Sequence, residues 1–223
     1  MNVLVCGRMK QGKTTLAVWL ALQFSPGVVI WDPRHMIAGL NYVHNPDELQ
    51  QAIDEEVWER GPIIFRPDGL HVEEDFDGMC SILFSPPERY AQWALIIDEA
   101  SQLQKPQSIN PQLDRAVRQH PRTVLVIQTT HSLQDWHRSS KDLMSQLYIF
   151  RQQGRSLEAV VDYCDGDEEF REVVRTLPDH WLVRYDFEAQ QGQAQWEVWD
   201  DPSMWYVDLR KPTMTTLEEA HHG

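Results

Sequence analysis

Cysteine is scarce in this sequence: Cys6, Cys80 and Cys164 are the only three in 223 residues, and no two form a C-x-x-C pair. That spacing argues against a disulfide framework or a zinc centre and for a reducing compartment. Long apolar runs are missing too. None approaches the roughly 18 residues of a membrane span, although hydrophobic residues make up 42% of the chain. The first residues run straight into an apolar stretch without the pattern of a secretory leader, so no signal peptide is expected. Positive charge is in deficit, with 20 Lys and Arg against 34 Asp and Glu for a net −14. A protein that coats DNA over its whole surface does not fit that balance. No internal repeat, low-complexity block or linker divides the chain, and its length suits one α/β domain with a substantial core.

The charge deficit is uneven. Residues 105–141 hold Lys105, Arg115, Arg118, Arg122, Arg138 and Lys141 against only Asp114 and Asp135, a local +4. His120, His131 and His137 lie in the same window. It reads either as an ordinary solvated face or as a localised surface for phosphates, of a nucleotide or of nucleic acid.

The most informative stretch is residues 1–15, MNVLVCGRMKQGKTT. Val3, Leu4 and Val5 read as a buried strand, Gly7 to Thr14 spells G-x-x-x-x-G-K-T, and residues 15–24 read as a helix. Strand, glycine loop and helix in that order form a phosphate-cradling P-loop. Its glycines let the backbone turn tightly and aim successive N–H groups at one point, and the helix adds the positive end of its dipole. Lys13 is expected to carry the charge for the β- and γ-phosphates of ATP, and Thr14 the hydroxyl for Mg²⁺. Gly7, Lys10, Gln11, Gly12 and Thr15 complete the expected nucleotide-binding set.

A second motif lies at residues 94–100, ALIIDEA, where an apolar strand runs into Asp98 and Glu99. A carboxylate at that point binds Mg²⁺, directly or through its water. The next residue, Glu99, is placed to take a proton from the water that attacks the γ-phosphate.

Between and beyond these motifs the pattern alternates. Strands are predicted at 28–31, 63–65, 123–127 and 147–150. Helices are predicted over 73–84 and 110–119, and over a stretch from an Asn45 or Asp47 cap to Trp58. Residues 135–144 read as a helix or ordered loop. Gln128 ends the 123–127 strand, where a polar side chain beside Asp98 could sense the γ-phosphate; His131 reads as a loop histidine. A helix over 167–176 precedes alternating strands at 181–187 and 195–199, with Gln190 to Gln193 as a hairpin turn. The fold expected is α/β, a mainly parallel sheet with helices on both faces and a small C-terminal β-hairpin region. One domain covers 1–212, with its core in 1–152 and a helix and hairpin extension in 153–212; residues 213–223 read as a tail.

GRMKQGKTT, VVIWD, ALIIDEA and a strand ending in Gln128, in that order, resemble the FtsK–HerA-type P-loop ATPases. Glu99 directly after Asp98 looks like their additional-strand catalytic-glutamate class. The compact length and the run SQLYIFR are similar to the genome-packaging ATPases of membrane-containing phages and related viruses. The resemblance covers about residues 1–152. It implies a hexameric ring that hydrolyses ATP to move double-stranded DNA, acting with a capsid or portal vertex protein, in the host cytoplasm or with the virion. It also implies an arginine finger reaching a neighbour's ATP; Arg118 matches best by position and Arg122 second. The usual Thr-Gln pair of the sensor strand is here Ile127-Gln128.

Two other resemblances compete. Thymidine-kinase-like nucleoside kinases have a similar G-x-M-x-x-G-K-T loop and hydrophobic-D-E-A strand, but carry C-x-x-C pairs that this chain lacks. The zonula occludens toxin family, ATPases of filamentous-phage morphogenesis, usually has a membrane helix after the ATPase domain, for which no segment is found here.

Overall fold

A computed structural model describes residues 1–69, 71–84, 93–105, 107–119, 125–134, 136–137, 142–189 and 195–205. Three apolar runs become strands buried along their whole length: β1 (Asn2–Cys6), β2 (Gly27–Trp31) and β5 (Trp93–Ile97). Burial of every position marks interior strands of a parallel sheet. They are joined by β3 (Asn41–Val43), β4 (Ile63–Phe65), β8 (Leu125–Thr130), β9 (Gln146–Phe150), β10 (Leu182–Asp186) and β11 (Trp196–Trp199) in one sheet. A short separate hairpin pairs β6 (Gln104–Lys105) with β7 (Ser108–Ile109).

The strand order is β11-β10-β9-β1-β8-β5-β2-β4-β3. The run from β9 to β3 is parallel, and β10 and β11 add antiparallel at the β9 edge. β8 lies between the P-loop strand β1 and the Asp98-Glu99 strand β5. That inserted strand is the topology the additional-strand class requires.

Six helices flank the sheet among the described residues: α1 (Lys13–Phe24), α2 (Pro46–Asp54), α3 (Val72–Leu83), α4 (Pro111–Gln119), α5 (Arg155–Tyr163) and α6 (Glu168–Thr176). Alternation along the strands divides the core into two layers. Val3, Val5, Ile30, Ile96 and Ile127 face α1, while Leu4, Cys6, Trp31, Leu95 and Ile97 face the layer of the other helices. The sequence of α1, KTTLAVWLALQF, is apolar nearly all round, and Trp19, Leu20, Leu22 and Phe24 remain half-buried on it. Among the described residues no helix is long and apolar enough to cross a membrane.

Most predicted elements are present, with shifted ends. The helix capped by Asn45 stops at Asp54 instead of Trp58, because Glu56 takes a left-handed backbone, φ 55°, and a 3₁₀ turn follows. The 123–127 strand runs on to Thr130, which places Gln128 inside it. The described part of 135–144 is not helical, and Trp136 and Met144 are buried in the core. α5 and β3 were not foreseen. Pro86-Pro87, the Gln190–Gln193 turn and the 213–223 tail lie outside the described residues.

The polar tips of β2 and β4 meet. Asp32, fully buried, accepts the N–H groups of Met36 at 2.9 Å and Ile37 at 3.0 Å and the Arg66 Nε–H at 3.1 Å. Arg66 also donates to the Ile37 carbonyl and lies 4.0 Å over the Tyr42 ring. Arg66→Met leaves a buried carboxylate without its cation and is expected to cost about 3 kcal/mol, read from the urea midpoint. A loss below about 1 kcal/mol would class the pair with exposed ones.

Candidate functional site

The P-loop leaves the carboxyl end of β1. Gly7 N–H still donates to the Thr130 carbonyl at 3.1 Å, so the β1–β8 ladder extends into the loop. The Arg8 N–H then donates to Gln11 Oε1 at 2.6 Å, and the Arg8 guanidinium reaches Gln153 Oε1 at 2.9 Å. Lys10 and Gly12 both hold positive φ, 64° and 96°. α1 therefore starts at Lys13 with a left-handed glycine before it and no side chain capping its first turn. An uncapped helix start presents its N–H groups to an anion. In front of it lies a cavity of about 920 Å³ lined by Lys10, Gly12, Lys13, Thr14 and Thr15 on the loop side.

Asp98 and Glu99 follow β5 beside this cavity. Asp98 Oδ1 accepts the hydroxyls of Thr14 and Thr129, both at 2.9 Å. The Glu99 N–H donates to the same Thr129 hydroxyl at 3.0 Å, and Glu99 itself sits at φ 54°. Burial pushes the Asp98 carboxyl above its usual range, against the pull of those two hydroxyls. Burial likewise holds the Lys13 ammonium below the ordinary lysine value, opposed by Glu99 and then Asp98. A half-buried carboxylate oxygen with two hydroxyls is a hard-oxygen set that suits Mg²⁺, which keeps waters and substrate phosphates as its remaining ligands.

Glu99 is held at both oxygens. Oε2 lies 2.8 Å from His131 Nε2 and 3.8 Å from Arg34 Nη1, and Oε1 accepts the Ser101 hydroxyl at 2.9 Å. Lys13 Nζ donates to the Arg8 carbonyl at 3.0 Å and lies 3.2 Å from His131 Nδ1. His131 Nδ1 also lies 3.2 Å from the Gly7 carbonyl: with the ring hydrogen on Nε2 the imidazole accepts from Lys13 and donates to Glu99, and with it on Nδ1 it donates to Gly7.

The predicted residues do not all come together. Lys10, Gly12, Lys13, Thr14, Thr15, Asp98 and Glu99 converge. Gly7 and Gln11 brace the loop from behind and do not line the cavity; Asp98 and Glu99 do not line it either but join its residues through Thr14 and His131. Gln128 is displaced: it is fully buried, shares the sheet face of Val126, and accepts from Gln104 at 3.2 Å. Its neighbour Thr129 projects to the α1 face and makes the contact with Asp98 expected of Gln128. Arg118 lies at the other end of the sheet, on an α4 whose Val117 carbonyl accepts from the Asn2 side chain at 2.8 Å, and pairs with Asp114 at 2.7 Å. Arg122 lies outside the described residues. His131, read as a loop histidine, is part of the site, as are Thr129, Ser101 and Arg34. Two signals pointed to them: the polar run after Ile127, and Arg34 just past the end of a buried strand.

No family model matches the chain, and neither does any curated protein. Solved structures do. The genome packaging NTPase B204 of Sulfolobus turreted icosahedral virus 2, in complex with AMPPCP, superposes with a TM-score of 0.67 at 18% identity, over 88% of this chain and 95% of that one. Its complex with ATP-gammaS gives 0.65 at 19%, over the same shares. VirB4 of Thermoanaerobacter pseudethanolicus gives 0.60 at 13%, over 83% of this chain and 86% of that one. The chain shares the fold of these proteins.

Two glycines should respond differently to alanine. A Cβ on Gly7 would lie 2.8 Å from Phe150 Cβ and 2.9 Å from Gln11 Oε1, so Gly7→Ala is expected to lose about 1–3 kcal/mol by overpacking. Gly12 has room but φ +96°, and Gly12→Ala should lose about 1–2 kcal/mol of backbone energy. Chemical denaturation reads both; an unchanged Gly7→Ala midpoint contradicts the close packing.

Proposed function

We propose that the chain is an ATP-hydrolysing translocase of double-stranded DNA, a genome-packaging motor working as a hexameric ring. The observation that carries the reading is the convergence of Lys13, Thr14, Asp98 and Glu99 across β1, β8 and β5 of the additional-strand topology. The B204 fold likeness supports the packaging role, and the ATP analogues bound to that protein support the nucleotide. One domain over 1–212, with 153–212 as an extension of the 1–152 core, fits the continuous sheet. The motor would act in the host cytoplasm or with the virion, against a capsid or portal vertex protein.

In the mechanism, the Lys13 donor not spent on the Arg8 carbonyl and His131 binds a triphosphate oxygen, and the uncapped α1 amides bind others. Thr14 and Asp98 would hold Mg²⁺, whose charge neutralises the β- and γ-phosphate oxygens when bound. Glu99 accepts the proton of the water that attacks the γ-phosphorus, while the bond to the β–γ bridging oxygen breaks and ADP departs. Glu99 needs one oxygen free to do this, so its contact with His131 or Ser101 must open first. Arg118 or Arg122 would supply the transition-state cation from a neighbouring subunit. Lys105 and Arg115 are exposed and would contribute to a DNA-facing surface.

Lys13→Ala is expected to abolish ATP binding in calorimetry. Glu99→Gln should keep binding and slow turnover by about 10²–10⁴-fold; wild-type turnover in that variant removes Glu99 from the mechanism.

Assembly is tested separately, by ATPase assays over a range of protein concentration with and without long double-stranded DNA. Specific activity should rise with both. Arg118→Ala should cut turnover by about 10³–10⁵-fold with ATP affinity kept, and mixing it with Glu99→Gln should restore part of the activity. Flat specific activity with no restoration rules out the trans-acting ring; the same behaviour in Arg122→Ala alone moves the finger to Arg122.

A further inference from the structure

Arg34 lies three residues past the end of β2, in the turn Asp32-Pro33-Arg34-His35. The β2–β5 ladder runs one residue beyond both strands, since the Asp98 N–H donates to the Trp31 carbonyl at 3.1 Å. That brings the turn beside Glu99. Arg34 Nη1 lies 3.8 Å from Glu99 Oε2, beyond hydrogen-bond length, with 47% of the arginine side chain exposed. Among the described residues this loose ion pair is the only contact of the guanidinium. The Arg8 guanidinium, in contrast, is bonded to Gln153, and that of Arg66 to Asp32 and the Ile37 carbonyl. Arg34 is also close enough to Lys13 to add, after burial, to the lowering of its ammonium.

The turn that carries it is built to hold one shape. The buried Asp32 carboxylate accepts the Met36 and Ile37 N–H groups and the Arg66 guanidinium, and the Asp32 carbonyl accepts the His35 N–H at 3.1 Å. His35 sits at φ 55°, and its Nε2 lies 2.9 Å from the Pro67 carbonyl. A left-handed histidine carries backbone strain that persists only where the surroundings over-determine it, as they do here. The backbone is thus fixed while the guanidinium keeps its five donors unspent.

We infer that Arg34 supplies, from within the same subunit, a cation that donates to the γ-phosphoryl group in the transition state. This rests on the hydrolysis reading proposed above and adds a residue to it. A water bonded to Glu99 and poised for attack lies about 3–3.5 Å from the γ-phosphorus. A guanidinium 3.8 Å from the same carboxylate is therefore within a side-chain turn of the equatorial oxygens of that phosphoryl group. Negative charge spreads over those oxygens during the in-line displacement. Lys13 meets them from the P-loop and Arg34 from the β2 side. Turning to the phosphate costs Arg34 only its loose contact with Glu99. An arginine in cis is present at every site whether or not a ring has formed, and the finger of a neighbour adds to it.

The test compares Arg34→Ala and Arg34→Lys with wild type, in the full chain with Mg²⁺. Turnover of Arg34→Ala should fall about 10³-fold, while its affinity for AMPPCP in calorimetry stays within about tenfold of wild type. Binding of ADP with aluminium fluoride, which mimics the planar phosphoryl group, should weaken far more than binding of AMPPCP. Arg34→Lys keeps the charge without the fork and should fall between. The urea midpoint should hold in both variants, because a half-exposed side chain with one loose pair adds little stability. Mixing Arg34→Ala with Glu99→Gln should restore nothing, since each subunit then lacks a group that its own site needs. Wild-type turnover in Arg34→Ala, equal weakening of AMPPCP and of ADP with aluminium fluoride, or activity restored on mixing would each overturn the cis assignment while the hydrolysis reading stands. If wild type neither hydrolyses ATP nor binds ADP with aluminium fluoride, both fall together.

Discussion

One hydroxyl holds the catalytic edge of the sheet together. Thr129 Oγ1 donates to Asp98 Oδ1 at 2.9 Å and accepts the Glu99 N–H at 3.0 Å. β8 is thereby tied to the loop after β5, where the backbone must turn through a left-handed Glu99 at φ 54°. A non-glycine residue in that region costs of order 1 kcal/mol or more and persists only where its surroundings over-determine it. Thr129 supplies part of that determination. Thr14 completes it from the other side with its own bond to Asp98, so P-loop, inserted strand and acidic turn share one carboxylate oxygen.

The charges of the site balance only in part within the chain. Burial disfavours the charged forms of both Asp98 and Lys13, and the two carboxylates beside Lys13 only offset the penalty. Lys13, His131 and Glu99 form a line of contacts at 3.2 and 2.8 Å. A polyanion arriving with a divalent cation meets both needs at once: the ammonium gains phosphate oxygens and the Asp98 carboxylate gains a counter-charge. Lys13 Nζ spends two of its three donors on the Arg8 carbonyl and His131, which leaves the third for a phosphate oxygen.

Much of this was legible in the sequence because the chemistry is local. The P-loop, the Asp98-Glu99 pair and the buried strands depend on adjacent residues, and their elements agree with expectation. Gln128 went wrong for a reason of period. The strand's end was placed at Ile127, which made the next residue its tip; in fact β8 continues to Thr130. Inside a strand successive side chains point to opposite faces, so with the end placed three residues early Gln128 was expected beside Asp98, whereas it is Thr129 that faces Asp98. His131 and Arg34 were missed because their partners are distant in sequence: Glu99 for both, and Lys13 for His131. The cavity wall of His180, Pro202 and Ser203 was out of reach for the same reason, since β10 and β11 return to α1 only through the antiparallel edge of the sheet.

The placement of Arg118 constrains any assembly that uses it. α4 ends against Asn2 at the amino end of β1, whereas the P-loop leaves the carboxyl end. Within one subunit Arg118 and the P-loop therefore sit at opposite ends of the sheet. A single two-fold contact would have to cover both ends to serve two sites. A heterologous contact, the amino end of one subunit against the carboxyl end of the next, serves one site per interface and closes into a ring when the rotation allows. Releasing Arg118 for this task costs little. Its bond to Asp114 is an i, i+4 pair with 44% and 34% of the two side chains exposed, worth at most about 1 kcal/mol. An arginine so weakly held at home, on the face that a neighbour would cover, is available to a site in another subunit.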